Sequence, residues 1–201
     1  MKFLIAGIAI CLAVGAWAVP GQLVYEEPCY NFEIFSDYPY YHFGQGLGVP
    51  FDQEADNWYW ISIQGVFAEE ATWYWEMCVA EDYWNSEGHI IAPDFGFPDW
   101  TPISDASGSY MELSFVLYGA TGAEKWRQDP SPDNGILSTL TPTSYAESAD
   151  DFWCFDGEPI VEIEWWGWPG PVPDYFMIRF YLDDSTTATE VSTWSELKQL
   201  Y

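Results

Sequence analysis

The chain has 201 residues, 49% hydrophobic and 20% aromatic, with 32 acidic against five basic side chains for a formal charge of −27. That size and apolar content suffice for one domain with a good core. So one-sided a charge repels phosphate backbones and anionic lipid heads, which excludes nucleic acid and membrane-surface partners.

Taken from the start, residues 1–18 read as a signal peptide. Lys2 gives a positive start, Phe3 to Gly15 a continuous apolar stretch, and Ala16-Trp17-Ala18 a small-x-small cleavage site. The apolar run falls short of the roughly twenty residues that cross a bilayer. No later run exceeds a strand's length, so a secreted or extracellular chain is expected, at a cell surface or in a periplasm, with no membrane span after cleavage. Cys29, Cys78 and Cys154 then remain, and an odd count allows one bridge and one leftover thiol in three pairings. None has metal-ligand spacing and His42 lies far from His89, which excludes a structural zinc.

The next segments alternate with period two, as half-buried strands do. Tyr59, Ile61 and Ile63 alternate with Trp60, Ser62 and Gln64. Met111, Leu113, Phe115 and Leu117 alternate with Glu112, Ser114, Val116 and Tyr118. Val161, Ile163 and Trp165 oppose Glu162, Glu164 and Trp166, and Phe176, Ile178, Phe180 and Leu182 oppose Tyr175, Met177, Arg179 and Tyr181. Shorter candidates are 23–26, 32–35, 73–78 and 151–155. Gly44–Pro50, Gly96–Trp100 and Pro130–Gly135 read as turns. Many short strands with Gly and Pro punctuation predict an all-β chain, an antiparallel, jelly-roll-like β-sandwich over 22–185. Residues 186–201 read as a linker and a short C-terminal helix, opened by the capping box Thr193-Trp194-Ser195-Glu196.

Two sets of residues carry candidate chemistry. Twelve Trp remain after residue 18, and exposed rings stack on the C–H faces of sugars. Trp58, Trp60, Trp166 and Trp168 are expected outward or in loops, with the rest filling the core. Asp150-Asp151, Asp183-Asp184 and the Asp129 to Asn134 loop are the candidate calcium ligands, because calcium takes irregular oxygen shells and is abundant outside cells. A sequence this acidic brings carboxylate pairs together by composition alone, so they do not indicate a glycosidase. There is no His-Glu-x-x-His, Gly-x-Ser-x-Gly or complete phosphate loop; Gly119-Ala-Thr-Gly122-Ala-Glu-Lys125 lacks the length and the final hydroxyl.

Lys125-Trp-Arg-Gln128-Asp-Pro130, Ala149-Asp-Asp-Phe-Trp-Cys154, Ile163-Glu-Trp-Trp-Gly167 and Phe176-Met-Ile-Arg179 resemble one half of an uncharacterised secreted β-sandwich module of environmental bacteria. Tyr59-Trp-Ile-Ser-Ile63, Trp73-Tyr-Trp75 and Phe115-Val-Leu-Tyr118 are similar to its other half, in permuted order. The resemblance implies a fold and a compartment and brings no catalytic residue; because Asp150 and Asp151 stand in its shared Ala149–Cys154 block, they are the first choices as calcium ligands. The sequence therefore predicts an exported, non-catalytic module that binds polysaccharide. The alternatives are a structural module of a cell surface or matrix and, behind it, a glycan-active enzyme.

Overall fold

Alternating apolar side chains need a second apolar face to cover them, and here they find it in two facing sheets. The computed structural model describes residues 18–35, 40–78, 86–131, 134–168 and 170–184. In chain order the elements are β1 (Pro20–Cys29), β2 (Glu33–Phe35), β3 (Tyr41–Phe51), β4 (Asn57–Val66), β5 (Tyr74–Cys78), β6 (His89–Ala92), β7 (Phe97–Pro102) and α1 (Ile103–Ser107). They continue as β8 (Glu112–Leu113), β9 (Phe115–Gly119), β10 (Glu124–Gln128), β11 (Gly135–Leu137), β12 (Thr139–Leu140), β13 (Glu147–Cys154), β14 (Ile160–Gly167) and β15 (Tyr175–Asp183).

One sheet runs β1-β15-β4-β13-β6-β7, with β12 added parallel to β4. The other runs β10-β9-β14-β3-β2, with β5, β8 and β11 attached. Every other pairing is antiparallel, so the expected all-β sandwich is what forms. Tyr59, Ile61 and Ile63 of β4 and Phe176, Ile178 and Phe180 of β15 lie in the shared core, facing Phe115, Leu117, Ile163 and Trp165 from the other sheet. Phe51 stacks on Phe180 across the gap at 4.2 Å and 5°. Truncating a core ring of this kind costs about 3–5 kcal/mol.

Several expectations change. Gly44–Pro50 is not a turn; it lies inside β3. The glycines leave room for cover, since a Cβ on Gly44 would sit 3.0 Å from the Phe35 ring and one on Gly48 2.9 Å from Glu27. Of Gly96–Trp100 only Gly96 is a turn residue; Phe97 to Trp100 lie in β7, the edge strand beyond β6. In β14 a bulge between Ile160 and Glu162 puts Ile160 in the core in place of Val161. Leu182 is 37% exposed.

No bridge joins the three cysteines, which are buried free thiols. Cys29 and Cys154 lie on β1 and β13, three strand spacings apart in one sheet, while Cys78 belongs to the other sheet. At roughly 4.8 Å per spacing that exceeds the roughly 7 Å limit for a disulfide. Burial pushes the Cys29 thiol up to about 12. The expected C-terminal helix and the signal segment lie outside the described residues. The short helix that is described, α1, was not expected; the buried Glu87 carboxylate accepts the Ser104 N–H and hydroxyl at its start.

Candidate functional site

β13 pairs with β4 from Ala149 to Cys154, but with β6 only from Glu147 to Ala149. From Asp150 onward its far edge has no strand partner among the described residues. β10 is the edge of the opposite sheet and comes alongside. The side of the sandwich is thus closed by side chains instead of a ladder. Lys125 pairs with Asp156, Trp126 meets Phe155 and Trp58, and Gln128 Nε2 donates to Asp150 Oδ2 at 3.2 Å.

The upper part of this seam is aromatic. Trp58 and Trp153 are cross-strand partners, with centroids 5.2 Å apart and planes at 65°. Trp58 also meets Trp126 edge-on at 6.4 Å, and Trp126 stacks on Phe155 at 27°. The three indoles are half-buried and Phe155 is 66% exposed. Beside them opens a pocket of about 170 Å³ walled by Trp153, Phe155, Lys125, Glu124, Asp156 and Glu158. That is smaller than the roughly 300–1,000 Å³ of drug-sized sites, and suits one ring of a larger ligand. The Lys125 ammonium holds the Asp156 carboxyl below its ordinary range. Glu158 Oε1 accepts the Thr121 N–H at 2.8 Å and its carboxylate lies over Gly119. The glycine turn that superficially resembled a phosphate loop is therefore filled by the protein's own anion.

The lower part of the seam is acidic. Carboxylate oxygens of Glu112, Asp150 and Asp151 converge within 4.8 Å of one another, all buried. Asp150 Oδ2 accepts Leu113 N–H at 2.6 Å as well as Gln128, and Asp150 Oδ1 accepts the Asp151 N–H at 2.9 Å. Asp151 Oδ2 accepts the Ser86 N–H. Burial first, then the neighbouring Glu112 and Asp151 charges, raise the Asp150 carboxyl well above its ordinary value, and it shares a hydrogen bond with Glu112. Tyr110 is hydrogen-bonded to Glu112 as well. Asp150 is thus already served by N–H donors, while Glu112 adds a carboxylate from β8. The donor set is all oxygen, which is the chemistry calcium takes.

Of the expected ligand-facing rings, only Trp58 joins this site. Trp60 is fully buried, because the outer face of β4 is itself covered: its ring packs against His89, Tyr181 and Trp100 and its N–H donates to Asp183 at 3.1 Å. Trp166 faces outward from β14 yet is only 7% exposed, since His42 stacks on it at 4.5 Å and 14°. Trp168 is 42% exposed and lies over Gly135, away from the seam. No three described exposed Trp lie coplanar. Sequence reasoning missed Trp126, Trp153 and Phe155, although the first two stand in the quoted motifs. Of the other acidic candidates, Asp183 receives Trp60 and Asp129 receives Arg127. No helix among the described residues is long and apolar enough to cross a membrane.

A family model described as a domain of unknown function (DUF7901) matches residues 7–118 and 124–200. No curated protein matches the chain, and no solved structure does.

Proposed function

Since the chain belongs to the DUF7901 family, a domain of unknown function, we propose from its geometry that it is an exported, non-catalytic β-sandwich module that binds polysaccharide at the β10–β13 seam. The observation that carries this is the Trp58, Trp126, Trp153 and Phe155 assembly beside a surface pocket rimmed by carboxylates. Apolar ring faces match the C–H side of a pyranose, and carboxylates accept its hydroxyls. A glycan array probed with folded wild type and with Trp153→Ala tests it. Retention of some glycan by wild type and its loss in the variant is expected; no retention by folded wild type removes the reading.

Burial of Trp60 and Trp166 favours a second reading, a structural module of a cell surface or matrix whose acidic surface is cross-bridged by cations. Sedimentation velocity with and without calcium separates the two. Reversible calcium-dependent association with no glycan retention supports the structural module.

A further inference from the structure

Each of the three cationic side chains among the described residues is held by carboxylates. Lys125 pairs with Asp156; Arg127 with Glu124 and Asp129 at 2.7 and 3.0 Å; Arg179 with Glu26 and Glu147 at 2.6 and 3.2 Å. At the pocket, Glu124, Asp156 and Glu158 stand against Lys125, and Glu124 is also held by Arg127, two positive charges against three negative. The Thr121 N–H, which points to where an anion could settle, is occupied by Glu158. A uronate or sulfated sugar would meet like charge and no free donor of positive charge there. The field of a chain at −27 also draws polycations in and turns polyanions away.

We infer that the pocket selects a cationic saccharide, an amino sugar of the glucosamine type within a polymer. Its ring face lies against Trp153 and Phe155, where an ammonium group is also attracted by the electron-rich faces. The Glu158 carboxylate, which pairs with no cationic side chain among the described residues, takes the charge. A basic peptide shares the charge but does not need a flat apolar ring partner, and the pocket supplies one. This inference rests on the saccharide reading above, and the test below keeps the two apart.

Isothermal titration of the full chain would compare a glucosamine hexamer, its fully N-acetylated counterpart, polygalacturonate and hexalysine, at about 50 and about 500 mM salt. The pH is chosen so that the glucosamine is protonated. The glucosamine hexamer is expected to bind about two- to fivefold more tightly than the acetylated one, with the gap narrowing at high salt and in Glu158→Gln. Equal affinity for the two hexamers at both salts, or binding of polygalacturonate, overturns the inference and leaves the saccharide reading standing. Hexalysine binding as tightly as glucosamine, and equally in Trp153→Ala, overturns it in favour of charge alone. Binding of no saccharide at all overturns both.

Discussion

The Gln128 side chain donates from Nε2 to Asp150 Oδ2 at 3.2 Å and accepts the Trp126 indole N–H on Oε1 at the same distance. One fully buried amide thereby joins the carboxyl cluster to the aromatic part of the seam. Gln128→Met leaves the half-buried Trp126 indole N–H without its acceptor and takes a donor from the buried Asp150, and is expected to cost about 1–3 kcal/mol. Gln128→Glu keeps that acceptor but adds a carboxylate to the cluster. It should be the less stable variant at neutral pH and overtake Gln128→Met as acid protonates it. Thermal melts of both variants across pH check the crossover; parallel curves would disconnect Gln128 from the cluster.

Asp150 gives a pH dependence with a definite sign. Its folded carboxyl titrates above its unfolded value of about 3.9, so between those two values the folded state binds more protons than the unfolded one. Stability from this group is present below the unfolded value and is lost as pH rises through the folded one. Asp150→Asn carries a pH-independent penalty, because its amide nitrogen cannot accept the N–H bonds made to both carboxylate oxygens. The readout is therefore the slope: the wild-type advantage should shrink as pH rises from acid to neutral. Calcium that takes the proton's place in the cluster should flatten that slope and raise Tm more than magnesium at equal ionic strength, the bound ion adding about 2.7 kcal/mol of stability at a hundredfold excess over Kd. Asp151→Asn should lose the calcium-specific part. Equal effects of the two ions would reduce the calcium effect to screening.

His89 works in the opposite direction. Burial lowers its pKa, and its Nδ1 is held by the Glu87 carbonyl at 2.9 Å. The unfolded chain takes up a proton below about pH 6.5 that the folded chain resists, so this contribution is present above that pH and is lost as pH falls. His89→Asn, which keeps an N–H for Glu87, should show a shallower acid slope in denaturant melts. An unchanged slope would place the acid sensitivity elsewhere.

On the outer face of β4 and β15, Arg179 is bonded to Glu26, Gln64 and the buried Glu147, which also receives the Tyr145 and Tyr181 hydroxyls. Arg179→Met strands the Glu147 carboxylate in the interior and should cost about 3–5 kcal/mol. Adding Glu147→Gln should recover part of that loss in a double-mutant cycle of urea melts. Strictly additive losses would mean the pair does not couple.

The strand faces were legible because Tyr59, Ile61 and Ile63, like Phe176, Ile178 and Phe180, obey a strict period of two. What lies on the far face was not. Alternation says that Trp60 and Trp166 point away from the core, but not that Asp183, Trp100 and His42 will cover them. Gly44, Gly46 and Gly48 suggest a turn by composition, yet on β3 the missing side chains of Gly44 and Gly48 admit Phe35 and Glu27. The seam joins residues 125–128 to 150–156 without a single ladder pairing, so no local pattern announced it. Asp150 and Asp151 are visible as an acidic doublet in a shared motif; their third partner, Glu112, comes from a distant strand, and nothing in the spacing points to it.

The most direct measurement is a titration of ¹⁵N-indole-labelled protein with the glycan retained on the array, followed by NMR. The Nε1–H signals of Trp58, Trp126 and Trp153 should move together at one Kd, with those of the core residues Trp73, Trp75 and Trp165 unchanged. Shifts confined to Trp168, or a bound glycan that moves none of the three seam indoles, would contradict a binding site between β10 and β13.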